Sequence, residues 1–226
     1  TLDCADYPVM RFEAAASNQE SAVEASGTVS SDRQIVTAKV DALDLADYLG
    51  WIPEGTIPDT VTVKGGKVQN MVLHVFRDGS TLSFSGETDF SDGAVNVLGT
   101  DITAIHGHSA FTDREALVFV DAEAAGQKAN AHGKIRLDTG TPYLDLTVSS
   151  SAFDPSKILK NIPAHGSVSF EAAVKGPLTD PRVDGSVKMD QGTVENIPVQ
   201  NAAAKVRYQD QHVFVQDMRA SVLCGK

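Results

Sequence analysis

The two histidines at positions 106 and 108 have a spacing that can bind a metal ion. In a β-strand, side chains two residues apart point to the same side, so His106 and His108 would present two imidazoles together. No third ligand is identifiable from the spacing, because the other histidines are scattered singly. We therefore interpret the pair as a polar strand end and predict neither a metal site nor a cofactor.

Acidic residues and serines occur in patterns that hydrolases use. Two acidic pairs, Asp121 with Glu123 and Asp41 with Asp44, could in principle form a glycosidase dyad. Serines are also abundant, as in Ser149–Ser151. No Gly-x-Ser-x-Gly elbow and no ordered set of Ser, Asp and His accompanies them. Polar residues on wet strand faces are mostly solvating groups, so we predict that the protein is not an enzyme.

The charge balance disfavours nucleic acid as a partner. The chain has 30 acidic against 19 basic residues, a net charge of −11, whereas phosphate binding needs clustered Lys and Arg. No run reaches the roughly 18 apolar residues of a membrane-spanning helix. Cys4 and Cys224 lie near the two ends without metal-type spacing. We interpret them as unrelated thiols, with a disulfide between them as the alternative.

Alternation of apolar and polar residues dominates the chain. Val168, Phe170, Ala172 and Val174 alternate with polar neighbours, which places them on one face of a strand. The sequence therefore predicts an all-β protein whose strands each have one apolar and one polar face. The same alternation recurs in Met10–Ala16, Val61–Val63, Leu82–Gly86, Val95–Val97, Ala129–Leu137, Leu144–Val148, Val183–Met189 and Ala202–Tyr208.

Two segments depart from the alternation towards helix. Asp44–Leu49 precedes Pro53 and Asp154–Leu159 precedes Pro163, and each segment begins with an Asp suited to the N-cap. We predict two short helices of at most about two turns. Glycine-containing pairs predict turns at Asp78-Gly79, Asp92-Gly93, Asp184-Gly185, Gln191-Gly192 and Gly65-Gly66-Lys67.

The two predicted helices occupy equivalent positions of an internal repeat. Pro53 and Pro163 are separated by 163 − 53 = 110 residues, and Val63-Lys64-Gly65 matches Val174-Lys175-Gly176. Further matches follow in the same order, with an offset that drifts as turns change length. We predict a first unit at residues 1–116 and a second at residues 117–226, the latter with the start of a third, in a fragment of a longer protein.

A repeating sheet with one apolar face has few physical solutions: a sandwich, a closed barrel, or an elongated sheet that curls around a groove. Aromatic residues are only 6% of the chain, and its apolar faces are rich in Ala and Val. Such small side chains do not readily fill a sandwich layer about 10 Å thick. We therefore predict an elongated, curled antiparallel sheet of about fourteen to sixteen strands spaced about 4.8 Å apart.

The stretch Val174–Val187, with the sequence VKGPLTDPRVDGSV, resembles the signature turn of the TamB and AsmA-like family. Leu144–Pro163 is similar to the strand and short helix that precede this turn in the family. The resemblance covers residues 117–226 and extends less closely to the first unit. It continues in the segments Gly192–Val199, Asn201–Tyr208 and Val213–Ala220.

This resemblance implies a repeating β-groove, or β-taco, in a periplasmic protein. It also implies that the full-length protein is anchored in the inner membrane by a segment absent from this sequence. It implies that the groove shields acyl chains during phospholipid transport between the inner and outer membranes. It also implies a TamA-like or BamA-like barrel as a partner in outer-membrane protein assembly. The candidate groove residues are Leu82, Phe84, Leu144, Leu146, Val148, Val168, Phe170, Val174, Val187, Met189, Val206 and Tyr208.

An alternative interpretation of the same repeats belongs to a different functional class. Repeated β-sandwich domains of roughly 110 residues would form a structural stalk or an adhesin rather than a lipid conduit. The alternation of apolar and polar residues suits both architectures.

Overall fold

The structure of the chain is a computed structural model. It describes residues 2–3, 9–17, 22–47, 50, 61–97, 99–157, 164–209 and 212–222. Because apolar and polar residues alternate along nearly all of these segments, they form strands. The fourteen strands are β1 (Leu2–Asp3), β2 (Met10–Ser17), β3 (Ala22–Val29), β4 (Arg33–Asp44), β5 (Val61–Asp78), β6 (Thr81–Val97), β7 (Thr100–Thr112), β8 (Glu115–Ala124), β9 (Gln127–Arg136), β10 (Tyr143–Phe153), β11 (Ala164–Pro177), β12 (Arg182–Val194), β13 (Ile197–Gln209) and β14 (His212–Val222).

All fourteen strands belong to one sheet, in which each strand pairs with the strands before and after it in sequence. Every pairing is antiparallel. Within the described part of the chain, no pairing joins the last strand to the first, so the sheet is open. The predicted all-β class and antiparallel sheet are confirmed.

The sheet has one face of apolar side chains, which we call the apolar face, and an opposite polar face. Residues paired across strands lie on the same face, so the cross-strand register keeps the apolar residues of neighbouring strands on one face. For example, Phe111 pairs with Ala116, and Ala116 pairs with Ile135. One residue of the apolar face from each of β2 to β14 is Phe12, Ala25, Val40, Leu73, Phe90, Phe111, Val120, Ala131, Leu146, Val168, Val187, Ala204 and Val215.

The prediction of two short helices was wrong. Each segment contains a single 3-10 turn of three residues, Leu45–Asp47 and Pro155–Lys157. Asp44 and Asp154 each accept a hydrogen bond from the backbone N–H two residues on, at 2.9 and 3.0 Å. This is the bond of an Asx turn, which closes one turn without propagating a helix. The rest of the predicted segments, Tyr48, Leu49, Ile158 and Leu159, lies outside the described residues.

Only one of the predicted glycine turns connects two strands. Asp78-Gly79 forms the β5–β6 hairpin, whereas the other four sites lie inside β5, β6 and β12. At Asp92 the φ angle is 54°, and the pairing of β6 with β7 shifts register between Phe90 and Gly93. A β-bulge and a turn use the same residue types, because both need backbone conformations that Gly and Asp tolerate.

The two 3-10 turns recur at the offset of the predicted repeat. They begin at Leu45 and Pro155, 155 − 45 = 110 residues apart, and they follow β4 and β10, respectively. The predicted boundary after residue 116 falls within β8, which pairs with both β7 and β9. The division into units of residues 1–116 and 117–226 stays a prediction.

Gly133 in β9 is a position that only glycine can occupy. Its φ is +145°, and a Cβ there would collide with the carbonyl oxygen of Asp145 on β10. We expect Gly133→Ala to lower the free energy of unfolding by about 3 kcal/mol or more, because strain and a backbone collision add. The measurement is urea unfolding followed by circular dichroism.

Gly126→Ala is the control for this substitution. Gly126 also has a positive φ, +72°, but nothing lies within 4 Å of the position that a Cβ would take there. We therefore expect a loss of only about 1 kcal/mol. Equal losses for the two variants would show that the collision with β10 does not occur.

Candidate functional site

The twelve residues predicted to line a groove all lie on the apolar face. Phe84 pairs with Val75, and Val174 pairs with both Leu146 and Val183. The remaining residues share the face through the same ladder of pairs. The sheet thus places residues from β6 to β13 on one face, and their role in binding lipid stays a prediction.

The apolar face is not covered by a second layer within the described residues, which form one sheet and two 3-10 turns. Apolar side chains of this face therefore remain in contact with solvent; Leu82 and Phe84, for example, are 59% and 36% exposed.

The apolar face packs most densely across β11, β12 and β13. There Val168, Met189 and Val199 are buried, and Val187 and Ala202 pack against them. Along the rest of the described sheet only Val40 and Leu144 are buried hydrophobic residues, and no described side chain is fully buried. The face is therefore a thin apolar layer rather than half of a filled core.

Three polar side chains of the apolar face bond to the backbone of the sheet. Ser150 Oγ donates to the carbonyl oxygen of Lys128 at 2.6 Å, and Thr88 Oγ1 donates to that of Gln69 at 3.2 Å. Gln127 donates to the carbonyl oxygen of Asp154 at 3.0 Å and accepts from its N–H. The backbone satisfies these three polar groups, so they do not compete with an apolar ligand at their positions.

The polar face carries the ion pairs of the sheet. Lys64 with Asp101, Lys175 with Asp145, and Arg207 with Asp184 approach to 2.7, 3.1 and 2.6 Å, with side chains roughly half exposed. Exposed pairs of this kind contribute little to stability, because water and salt screen them. Their main effect is to keep one side of the sheet hydrated while the other side stays apolar.

His106 and His108 lie together on the polar face, as the spacing predicts. Their partners differ: His108 Nδ1 is 2.9 Å from Asp89 Oδ1, and His106 Nδ1 is 2.8 Å from the carbonyl oxygen of Ala104. In the described segments no three His, Cys, Asp or Glu side chains are placed to hold a metal ion. Cys4 and Cys224 lie outside the described residues.

The polar face also contains a feature that the sequence pattern did not indicate. Phe119, 58% exposed, stacks on His132 with ring centroids 6.4 Å apart and an interplanar angle of 9°. Together with His106 and His108 these rings line a shallow depression with a volume of ≈ 540 Å³. The contacts join β7, β8 and β9, so no signal along one strand could have revealed them.

No protein-family model, no curated protein and no solved structure matches this chain. None of the helices in the described segments has the length and apolar character needed to cross a membrane. The functional argument therefore depends on the geometry of the two faces, and the family resemblance stays a prediction.

The Asp89 carboxylate on the polar face makes stability depend on pH. Hydrogen bonds from Asn70 and His108 hold its pKa below the usual value. Because the folded state favours the ionised form, its stabilising contribution is present above about pH 4. It is lost as the pH falls through the lowered pKa of the folded state. We expect the difference in unfolding free energy between the unmodified chain and Asp89→Asn to shrink below about pH 4, as measured by urea unfolding.

A second measurement tests the cause of this lowered pKa. In an NMR titration, His108→Ala should raise the pKa of Asp89 towards its usual value, because one hydrogen-bond partner is lost. His132→Ala is the matched control, since His132 stacks on Phe119 instead. An unchanged pKa in His108→Ala would contradict the assignment.

Proposed function

We propose that the apolar face is the inner wall of an elongated, curled groove that binds the acyl chains of phospholipids. The observation that carries this proposal is the continuous apolar face of β2 to β14, which nothing in the described structure covers. Monomeric soluble proteins rarely expose contiguous apolar patches larger than a few hundred Å², and larger ones mark interaction sites.

The chemistry of the face suits hydrocarbon better than a peptide or a sugar. Each CH₂ group moved from water onto an apolar surface gains about 0.8 kcal/mol, without a directional contact. A peptide or a sugar needs hydrogen-bonding partners, and Thr88, Gln127 and Ser150 already bond to the sheet backbone. An acyl chain can therefore lie along the face while its headgroup stays in water at the strand ends.

Bulges support the curled shape in this proposal. Asn70, Asp92, Ala104, Asn201 and Asp217 have positive φ angles although they are not glycines. All five lie inside strands of the sheet, and bulges bend strands and increase their twist. A sheet that bends repeatedly towards its apolar face would enclose an acyl chain on several sides.

The dimensions favour a conduit over a container. Fourteen strands spaced about 4.8 Å apart give a sheet about 60 Å long in the hydrogen-bonding direction.

We propose that this segment forms part of a bridge for phospholipid across the periplasm, between the inner and outer membranes. An inner-membrane anchor and a TamA-like or BamA-like barrel as partner belong to the same proposal, together with support for outer-membrane protein assembly. The resemblance of Val174–Val187 to the TamB and AsmA-like family supports these last points.

The alternative, a stalk or adhesin of β-sandwich domains, has less support. A sandwich buries its apolar residues between two packed sheets, and the described residues form one sheet. No observation on the polar face favours an enzyme, so we propose a binding and transport role without catalysis.

Val187→Asp tests the proposed function. Val187 lies on the apolar face between Phe170 and Ala204, so a carboxylate there would meet the acyl chain and resist desolvation. We expect binding of a fluorescent long-chain fatty acid to weaken by at least about 10-fold, equivalent to about 1.4 kcal/mol. Mass spectrometry should detect less co-purified phospholipid.

Ser186→Asp is the matched control. Ser186 adjoins Val187 but is exposed on the polar face. The substitution therefore introduces the same charge at a position that does not touch the acyl chain. Its affinity should stay within about 2-fold of the unmodified chain. Equal effects of the two substitutions, or an unmodified chain that binds no lipid, would contradict the proposal.

A further inference from the structure

Three phenylalanine rings of the apolar face lie against glycines of the neighbouring strand. A Cβ added to each glycine would come within 3.1, 2.9 and 2.8 Å of a carbon of the facing ring. The ring thus occupies the space that a side chain on the facing strand would need, and it extends along the sheet. The cross-strand pairs, with the distance for each, are Phe12–Gly27 (3.1 Å), Phe90–Gly107 (2.9 Å) and Phe111–Gly86 (2.8 Å).

Phe84 shows what happens without a glycine. It belongs to the same face but pairs with Val75, and it is 36% exposed. Phe111, whose ring centroid is only 6.5 Å away, is half-buried over Gly86. Phe111, which faces a glycine, is thus less exposed than Phe84, which faces a valine and lies beyond the end of the pairing of β6 with β7. Aromatic residues that cover glycines in this way also stabilise the strand pairing.

We infer that these Phe–Gly pairs set the clearance of the apolar face for acyl chains. A large side chain opposite a glycine lies along the sheet and leaves the path open. The same side chain opposite a larger residue stands into the path and obstructs it. This inference rests on the proposed function, and the occupant is the hydrocarbon chain of a lipid. The glycines that determine the clearance are Gly27, Gly86 and Gly107.

Gly133 allows this rule to be tested at a new position. It lies on the apolar face, and the three atoms nearest to its Cβ position belong to the backbone of Asp145 and Leu146. Val118 pairs with Gly133 across β8 and β9. Val148, also half-buried on the apolar face, pairs with Ala131 and Ala172 and has no glycine opposite.

Val118→Phe and Val148→Phe add the same volume to the apolar face on strands two apart. We expect Val118→Phe to keep the affinity for a fluorescent long-chain fatty acid within about 2-fold of the unmodified chain. Val148→Phe should weaken it by at least about 10-fold. The measurement is a fluorescence titration of the full chain, with the Tm of each variant recorded to verify folding.

Equal effects of the two substitutions, whether both weaken binding or neither does, would overturn the inference. If the unmodified chain does not bind the fatty acid, the proposed function fails, and the clearance rule for acyl chains fails with it. The placement of the rings is then decided separately by a measurement that uses no lipid.

Tryptophan fluorescence provides that measurement. Trp51 is the only tryptophan, so in a Trp51→Phe background the variants Phe111→Trp and Phe84→Trp each carry a single reporter. Acrylamide should quench Phe111→Trp with a constant at least about 2-fold lower than that of Phe84→Trp, because the facing Gly86 lets the ring lie along the sheet. Equal quenching would overturn the ring placement even if lipid binds. A clear difference without lipid binding would refute the proposed function and the clearance rule that rests on it, and would leave only the Phe–Gly packing intact.

Discussion

Hydrogen bonding between strands that are neighbours in sequence holds this protein together. The ladder runs without interruption from β1 to β14, and strands reach 18 and 17 residues in β5 and β6. Hydrophobic burial is thin, since only five described hydrophobic residues are buried. Each net backbone hydrogen bond contributes only about 0.5–1.5 kcal/mol, so stability accumulates from many weak steps along the sheet, as it does in repeat proteins.

The register of this ladder determines the chemistry of both faces. A slip of one residue would move a whole strand's apolar set to the polar side, yet one face keeps a continuous series of apolar residues across thirteen strands, β2 to β14. Bulges absorb the irregularities: where the pairing of β6 with β7 shifts at Gly93, Ile102 and Val95 still pair on the apolar face. The ion pairs and the His108–Asp89 contact are thereby confined to the opposite side.

An uncovered apolar face is a hazard for such a sheet. Large exposed apolar surfaces promote aggregation, and β14, whose residues are all exposed, presents Val213, Val215 and Met218 at 57–78% exposure. The net charge of −11 and the hydrated polar face oppose association. A bound acyl chain would reduce the hazard further, because it covers the same surface that the fold leaves open.

The sequence by itself determined the all-β class, the two faces and the membership of the apolar face. Alternation has a period of two, and it names Phe170, Val187 and Val206 without knowledge of any partner strand. The sequence did not determine the function of Asp-Gly pairs, since Asp92-Gly93 and Asp78-Gly79 are locally alike. Tertiary structure alone decided which of these pairs forms a bulge and which forms a turn. It also decided that the Asp44 and Asp154 caps close only single turns, and which glycine faces each phenylalanine. Those outcomes depend on cross-strand register, which joins residues such as Phe90 and Gly107 and has no signature within one strand.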